Sequence, residues 1–186
     1  MINIIRDPVT WSRSSYNFCR HGWEKDQEYK GHGCMNLSKE QTELTFEDCV
    51  RQDKPECVSG SNSYLNWLCG DQKACGKISV SKMSKAKWNV EHNYQVVGLL
   101  ERIEDTLRLL EVQMPEFFKG ALEVYKTEAL KKVSNASKSI NPGDDIVPKD
   151  VRDKITDKKL KYEMMVYQHA EKIFDQKMAK AGLKKL

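Results

Sequence analysis

The sequence predicts an α/β fold that is mostly helical, with few short strands and one loop region stapled by disulfides. Three observations predict it. The apolar residues Ile2 to Ile5 have the character of a buried strand, and Asp7-Pro8 then forms a typical helix start. Beyond about Lys82 the apolar side chains recur at helical spacing, whereas every cysteine lies before that point. At 186 residues the chain fits one domain, or one large piece of one.

The first helix follows directly from the first strand. Asp7 suits the N-cap and Pro8 the first helical position, so we expect a helix from about Pro8 to His21 that stops at Gly22. Arg6 would then lie at the strand end, just before the turn. The junction between a strand end and a helix start is where α/β folds bind anions.

The region from Trp23 to Ser79 is polar and rich in Gly, Ser and Asn, so it predicts irregular loops with a short helix near Thr45 to Val50. It holds five of the six cysteines, which occupy positions 19, 34, 49, 57, 69 and 75. The short spacings 49 to 57 and 69 to 75 suggest local disulfides. Zinc is the alternative, but zinc sites with four cysteines usually have closer spacings and the sequence has no CxxC.

The remaining elements follow from hydrophobic periodicity and from breaker residues. A helix is expected over Lys82 to Glu91, and a short strand over Tyr94 to Val97 before Gly98. Three later helices are predicted, over Glu101 to Gln113, Pro115 to Tyr125 and Lys149 to Lys180. The first has Ile103, Leu107, Leu110 and Met114 on one face. The last has Met164, Tyr167, Ala170, Phe174 and Met178 on one face.

Composition limits the function classes. The formal net charge of +4 arises from 31 basic and 27 acidic residues, so no global field calls for nucleic acid, although a polyanionic partner is allowed. The sequons at Asn36 and Asn135 agree with an oxidising lumen and are candidate glycosylation sites. There is no signal-peptide pattern and no run of about 18 apolar residues. Because the sequence suggests disulfides but shows no signal-peptide pattern, we expect that an N-terminal part is missing.

Three segments carry a family resemblance. They are Ile2 to Gly22 (INIIRDPVTWSRSSYNFCRHG), Thr45 to Cys75 with TFEDCVRQDKPEC and LCGDQKAC, and Ala86 to Lys126 (AKWNVEHNYQVVGLLERIEDTLRLLEVQMPEFFKGALEVYK). In this order they resemble the carbohydrate 2-O-sulfotransferases, the family of heparan sulfate 2-O-sulfotransferase, the uronyl 2-O-sulfotransferases and Pipe. The chain is similar to the C-terminal half of that family, and its loop composition is most similar to Pipe.

The resemblance implies a P-loop-like sulfotransferase fold and a sulfate donor, 3′-phosphoadenosine 5′-phosphosulfate (PAPS), with no metal. In the family, an Arg at a strand end and a Ser in the next helix hold the donor's 3′-phosphate, and these match Arg6 and Ser14. A guanidinium and a hydroxyl near a helix start suit a phosphate dianion. The alternatives are a surface ion pair of Arg6 with Asp7 or with a neighbouring loop, and a solvated helix hydroxyl at Ser14. The matching cysteine order implies the disulfides Cys49–Cys57 and Cys69–Cys75.

Two features of the family are missing from this sequence. The Gly- and Lys-containing loop for the 5′-phosphosulfate has no counterpart, and none of the four histidines matches the catalytic base, so we expect no catalytic residue here and no turnover by the chain alone. The acceptor loop differs as well. Heparan-specific members carry several arginines after the first helix, whereas Trp23 to Glu43 has none, which argues against strong bidentate sulfate recognition in that loop.

Two functions are therefore expected, in order. The first is part of a Golgi carbohydrate 2-O-sulfotransferase that acts on a glycosaminoglycan or glycoprotein. The second is a catalytically incomplete paralogue or isoform that acts as a nucleotide- or glycan-binding module. The resemblance further implies a type II membrane protein of the Golgi lumen with a glycan acceptor, without nucleic acid, and with a possible homotrimer. An unrelated secreted disulfide protein would need the third segment to match by accident.

Overall fold

A computed structural model describes residues 1–18, 43–58, 63–70, 75–127 and 146–186. The chain divides into two compact units. Unit one comprises Met1–Asp7, Asn62–Val133 and Tyr162–Leu186, and unit two comprises Pro8–Ser61 and Ser134–Lys161. The single domain of residues 1–186 expected from the sequence stays a prediction.

The described elements are mainly helices with two short strands, as expected for the predicted mostly helical α/β class. In chain order they are β1 (Ile2–Ile5), α1 (Pro8–Asn17), α2 (Phe46–Arg51), a 3₁₀ turn (Pro55–Val58), α3 (Ser63–Cys69), α4 (Val80–His92), β2 (Val96–Leu99), a 3₁₀ turn (Leu100–Arg102), α5 (Ile103–Gln113), α6 (Pro115–Phe118), α7 (Ala121–Tyr125), α8 (Lys149–Ile155), a π-helical turn (Thr156–Leu160) and α9 (Lys161–Lys180).

Unit one is built around a two-stranded parallel sheet. β1 pairs with β2 in a register that sets Ile2 opposite Val96 and Ile5 opposite Leu99. All four residues of β2 are buried, whereas only Ile5 of β1 is. The bounds of β1 are those predicted, and β2 lies two residues beyond its predicted range. The parallel pairing brings the carboxyl ends of the two strands to the same edge of the sheet.

Helix α3 was not predicted, because it lies in a polar region that was interpreted as loop. Its Tyr64, Leu65 and Leu68 are buried and form the core face of a short helix. The C-terminal carbonyls of α3 are satisfied from α4, where Asn89 Nδ2 donates to the carbonyl oxygens of Leu68 at 2.8 Å and Cys69 at 3.0 Å. Tertiary contacts thus complete a helix that is too short to be stable by itself.

The buried face of α5 differs from the predicted one. Of the four apolar residues expected on one face only Leu110 is buried, and Ile103, Leu107 and Met114 are half-buried. Asp105 and Thr106 are buried in their place. Asp105 accepts charged hydrogen bonds from Arg102 and Arg108, both at 3.0 Å, which makes burial of its carboxylate possible.

Two predicted helices are interrupted. The helix expected from Pro115 to Tyr125 is split into α6 and α7 by Gly120, whose φ of 82° lies in the left-handed region. The helix expected from Lys149 to Lys180 is interrupted by the π-helical turn. On α9 the stripe of Tyr167, Ala170, Phe174 and Met178 is buried as predicted, and Met164 is half-buried.

Unit two packs α1 against α2. The side chain of Tyr16 lies edge-on to Phe46 with ring centroids 5.5 Å apart, and its hydroxyl donates to the carbonyl oxygen of Leu44 at 2.7 Å. Thr45 is the N-cap of α2, and its Oγ1 accepts from the Asp48 N–H at 3.1 Å, so the helix predicted near Thr45 is confirmed. Arg51 at the end of α2 pairs with Asp150 of α8 at 2.9 Å.

Among the residues that the structure describes, each unit contains one disulfide. Cys49–Cys57 joins α2 to the following 3₁₀ turn in unit two, and Cys69–Cys75 joins the last residue of α3 to Cys75 in unit one. These are the two pairings expected from the sequence. Cys19 and Cys34 lie outside the described residues, as do the sequons at Asn36 and Asn135. No helix among the described residues is both long and apolar enough to cross a membrane.

Candidate functional site

The candidate site lies in unit one, where β1 and β2 end. Arg6 directly follows the buried Ile5, and its side chain is half-buried. The backbone N–H of Arg6 donates to the hydroxyl of Tyr64 at 3.1 Å. Because Tyr64 is itself only 2% exposed on α3, this bond fixes the backbone from which the Arg6 side chain projects. Ligands of α/β proteins bind at this edge of a parallel sheet.

Two glutamates and two tyrosines hold the strand ends. The N–H of Tyr64 donates to Oε1 of Glu163 at 3.1 Å, and Glu163 is fully buried on α9. The N–H of Asp7 donates to Oε1 of Glu101 at 2.6 Å, and the hydroxyl of Tyr167 donates to Oε2 of the same carboxylate at 3.2 Å. The Glu101 carboxylate, which accepts two hydrogen bonds, thus links the second residue after β1 to the segment after β2 and to α9.

Both tyrosines of this network are protonated in the ordinary pH range. Burial raises the pKa of Tyr64, and the nearby carboxylates of Glu163 and Glu101 raise it further. The hydrogen bond from the Arg6 backbone acts in the opposite direction and lowers this pKa. Burial raises the pKa of Tyr167 as well, followed by its contact with Glu101. These phenols therefore act as hydrogen-bonding groups and not as bases.

Ser14 lies in the second turn of α1, which belongs to unit two. Its side chain is half-buried, as are those of its neighbours Arg13 and Ser15. The buried face of α1 is formed by Val9, Ser12 and Tyr16, so Ser14 is not a core residue of that helix. Arg6 and Ser14 thus fall in different compact units, and their convergence on one phosphate stays a prediction.

Both described histidines lie on helices, and each has a side-chain contact there. The ring of His92 stacks on Trp88 at the end of α4, and its Nδ1 lies 2.9 Å from the Trp88 carbonyl oxygen. His169 is half-buried on α9 with Nε2 3.7 Å from Glu91, and burial followed by the charge of Lys87 lowers its pKa. His21 and His32 lie outside the described residues. Within the described ranges, no group of three or more His, Cys, Asp or Glu side chains could hold a metal ion.

Four residues of the network were missed at the level of sequence: Tyr64, Glu101, Glu163 and Tyr167. Only Glu101 gave a usable signal, because it lies two residues beyond β2, and parallel strands end at the same edge of a sheet. Glu163 and Tyr64 are 99 residues apart in the chain, and no local pattern connects them.

The sequence is similar to those of uronyl 2-sulfotransferase and heparan sulfate 2-O-sulfotransferase 1. No protein-family profile matches the chain. It is 32% identical over 185 residues to the uronyl 2-sulfotransferases of Mus musculus and Homo sapiens, which covers 98% of the chain and 44% and 45% of those proteins. It is 34% identical over 128 residues to heparan sulfate 2-O-sulfotransferase 1 of Homo sapiens, covering 68% of the chain and 34% of that protein. The chain thus spans less than half the length of these relatives.

Proposed function

Because the chain belongs to the family of uronyl 2-sulfotransferase and heparan sulfate 2-O-sulfotransferase 1, we propose that it forms part of a carbohydrate 2-O-sulfotransferase. The proposed reaction moves a sulfuryl group from PAPS to the 2-hydroxyl of a sugar in a glycosaminoglycan or glycoprotein. The observation that carries the proposal is the similarity over 98% of the chain to uronyl 2-sulfotransferase. The P-loop-like fold of the complete enzyme and its place as a Pipe-like member of the family are parts of the same proposal.

The chain's proposed contribution is to hold the 3′-phosphate of the donor through Arg6 and Ser14. Support for Arg6 comes from its place immediately after β1 and from the Tyr64 hydroxyl that fixes its backbone. Ser14 is supported by its half-exposed position in α1. A guanidinium offers several N–H donors in a fixed fork and a hydroxyl offers one more, which suits the oxygens of a phosphate dianion.

Donor binding at this phosphate would contribute to catalysis by positioning. Interactions with a remote part of a substrate hold its reactive group in place and can be realised in the transition state. The donor, when bound, supplies the activated sulfuryl group. We propose no catalytic residue for this chain: among the described histidines, His92 stacks on Trp88 and His169 lies 3.7 Å from Glu91. The 5′-phosphosulfate loop and the general base are proposed to come from other residues of the complete enzyme.

The cellular setting is proposed from the family. A carbohydrate sulfotransferase of this kind would act in the Golgi lumen, as a type II membrane protein, on a glycan partner and without nucleic acid. The oxidised pairs Cys49–Cys57 and Cys69–Cys75 are consistent with an oxidising compartment. A homotrimer is a further expectation from the family.

Sulfate transfer tests the proposal directly. Radiolabelled PAPS is incubated with a set of glycosaminoglycans and glycoproteins, and either the chain alone or a longer form that supplies a 5′-phosphosulfate loop and a histidine base. We expect labelled 2-O-sulfated acceptor only with the longer form. Label with neither form on any acceptor would contradict the function, and label with the chain alone would contradict the division of roles.

The role of Ser14 is tested in the longer form with a control from the same helix. Replacing Ser14 with Ala removes one donor to the 3′-phosphate, so KM for PAPS should rise about tenfold to a hundredfold, as expected for a hydrogen bond to a charged group. Ser15→Ala removes a hydroxyl of similar exposure from the adjacent position and should leave KM unchanged. Equal effects of the two substitutions would leave Ser14 without a specific role.

A further inference from the structure

We propose that unit two carries a second binding site for the acidic glycan, a basic pocket formed by Lys54, Lys154, Lys158 and Lys159 around Asp53. The identity of the ligand rests on the proposed function, and the site itself rests on the geometry of unit two. The pocket would hold a sulfate or carboxylate group of the polymer in addition to the acceptor sugar at the reactive centre.

The floor of the pocket is apolar and fixed. Val50 of α2, Cys57 and Val58 of the 3₁₀ turn, and Ile155 of α8 line it, and each of these side chains is at most 8% exposed. The disulfide between Cys49 and Cys57 ties the 3₁₀ turn to α2. The π-helical turn after α8 supplies Lys158 and Lys159 at the rim. The lysines therefore stand on a rigid base.

Asp53 shows that the pocket accommodates an anionic group. Its Oδ2 lies 3.0 Å from Nζ of Lys154 and its Oδ1 lies 2.8 Å from Nζ of Lys158. These contacts, led by the bond from Lys158 and then that from Lys154, lower the pKa of Asp53. The φ of Asp53 is 55°, a left-handed conformation that carries the carboxylate back between the two ammonium groups after α2 ends. One carboxylate thus faces several cations.

The remaining two lysines of the pocket differ from Lys154 and Lys158. Within the parts of unit two that the structure describes, no carboxylate pairs with Lys54 or Lys159, and both side chains are exposed. Lysine ammonium groups are flexible point charges that remain well hydrated. An open rim of such groups suits a polymer that brings many acidic groups at once, because each exposed contact is weak alone. A free small anion would need a more enclosed and fully hydrogen-bonded site.

Binding of a fluorescent heparin hexasaccharide to the 186-residue chain, followed by anisotropy, tests the pocket. Lys54→Ala combined with Lys159→Ala should weaken binding roughly threefold to thirtyfold, since each exposed charge contact contributes modestly. The matched control is Lys172→Ala with Lys185→Ala, which removes the same charge from exposed positions of unit one. Lys54→Arg with Lys159→Arg should retain affinity. Equal losses in the Ala pair and its control would overturn the proposal.

A second variant tests the pocket without removing a lysine. Asn tolerates the left-handed conformation at least as well as Asp, so Asp53→Asn should fold while releasing Lys154 and Lys158 from their counter-ion. Affinity for the hexasaccharide should rise about twofold to fivefold. Asp157→Asn makes the same charge change in the exposed π-helical turn and should have a smaller effect. Unchanged or reduced affinity in Asp53→Asn would contradict the proposal.

Two further arms separate the possible sources of failure. Inorganic sulfate at matched ionic strength should not displace the hexasaccharide, and displacement would show a site for free anions instead. Sulfate transfer by the longer form to a short acceptor should be unaffected by the Lys54 and Lys159 substitutions. If the Ala pair binds the hexasaccharide normally and the longer form transfers sulfate, the pocket is rejected and the proposed function is kept. If the unsubstituted chain binds the hexasaccharide through the pocket but the longer form transfers no sulfate, the proposed function alone is rejected.

Discussion

Gly98 and Thr106 lie so close together in unit one that no side chain fits between them. A Cβ on residue 98 would overlap the Cγ2 methyl of Thr106 and lie 3.0 Å from its Oγ1. That hydroxyl accepts from the N–H of Leu99 at 3.0 Å and donates to the Leu99 carbonyl oxygen at 3.1 Å. The threonine thus fixes the last residue of β2, and through it the position of Glu101 at the strand-end network.

We expect Gly98→Ala to destabilise the chain by about 1 to 3 kcal/mol, the usual cost of overpacking a core. Thr106 is fully buried and cannot move aside without losing both bonds to Leu99. Thr106→Ser removes the overlapping methyl and keeps the hydroxyl, so the double variant should recover part of the loss. Urea unfolding of the four proteins measures the coupling. Strict additivity of the two substitutions would contradict the packing argument.

Tyr64→Phe tests whether the strand-end network positions Arg6. The phenyl ring retains the packing of a side chain that is 2% exposed, but the acceptor for the Arg6 N–H is lost. We expect a loss of roughly 0.5 to 1.5 kcal/mol in the free energy of unfolding, together with weaker nucleotide binding in calorimetry. Tyr94→Phe is the control, because its hydroxyl makes only an exposed bond to the Trp67 carbonyl at 3.3 Å. Equal behaviour of the two variants would remove the positioning role.

The raised pKa values of Tyr64 and Tyr167 predict an alkaline limit to stability. Tyrosines of the unfolded chain ionise at about pH 10, whereas these two retain their protons at that pH in the folded chain. The folded state therefore binds more protons, so the contribution to stability is fully present below about pH 10 and is lost as the pH rises further.

Ultraviolet absorbance of tyrosinate, recorded together with circular dichroism, measures this limit. Two of the seven tyrosines should ionise only as the helices are lost, and Tyr64→Phe with Tyr167→Phe should abolish that late step. If all seven tyrosines ionised at about pH 10 while the helices stayed intact, the raised pKa values of Tyr64 and Tyr167 would be wrong.

The disulfides should each stabilise the fold by restricting the unfolded chain. They close loops with sequence separations of 8 and 6 residues, for which chain-entropy reasoning gives about 2 to 3 kcal/mol each. Replacing Cys49 and Cys57 together with Ser should lower the midpoint of thermal unfolding accordingly, and the same holds for Cys69 and Cys75. Peptide mapping without reductant checks the pairing. Free thiols at these positions, or pairs across the two sets, would contradict it.

Local sequence signals predicted the elements whose stabilising residues are close in the chain. The Asp7-Pro8 start of α1 and the Thr45 cap of α2 are visible within a few residues. Helix α3 could not be predicted in this way, since Asn89 of α4 caps its end and Glu163 of α9 binds its first turn. Its own residues lie in a polar segment with weak periodicity.

The buried side of α5 shows a second limit of sequence reasoning. Hydrophobic periodicity favoured a face through Ile103 and Leu107, but the core receives Asp105 and Thr106 instead. A buried carboxylate is tolerable only with partners, and Arg102 and Arg108 become its partners once the helix has formed. Polar residues that are buried for the bonds they make cannot be distinguished by hydropathy from polar residues on the surface.

Binding of adenosine 3′,5′-bisphosphate and adenosine 5′-monophosphate to the wild type and to Arg6→Ala tests the account most directly. Calorimetry uses the longer form that supplies the 5′-phosphosulfate loop. Arg6→Lys serves as a comparison, because lysine keeps the positive charge but lacks the forked N–H donors of the guanidinium. We expect Arg6→Ala to weaken the bisphosphate about tenfold to a hundredfold, from the strength of a charged hydrogen bond, and to leave the monophosphate unchanged. Equal weakening of both nucleotides, or of neither, would contradict the assignment of the 3′-phosphate to Arg6.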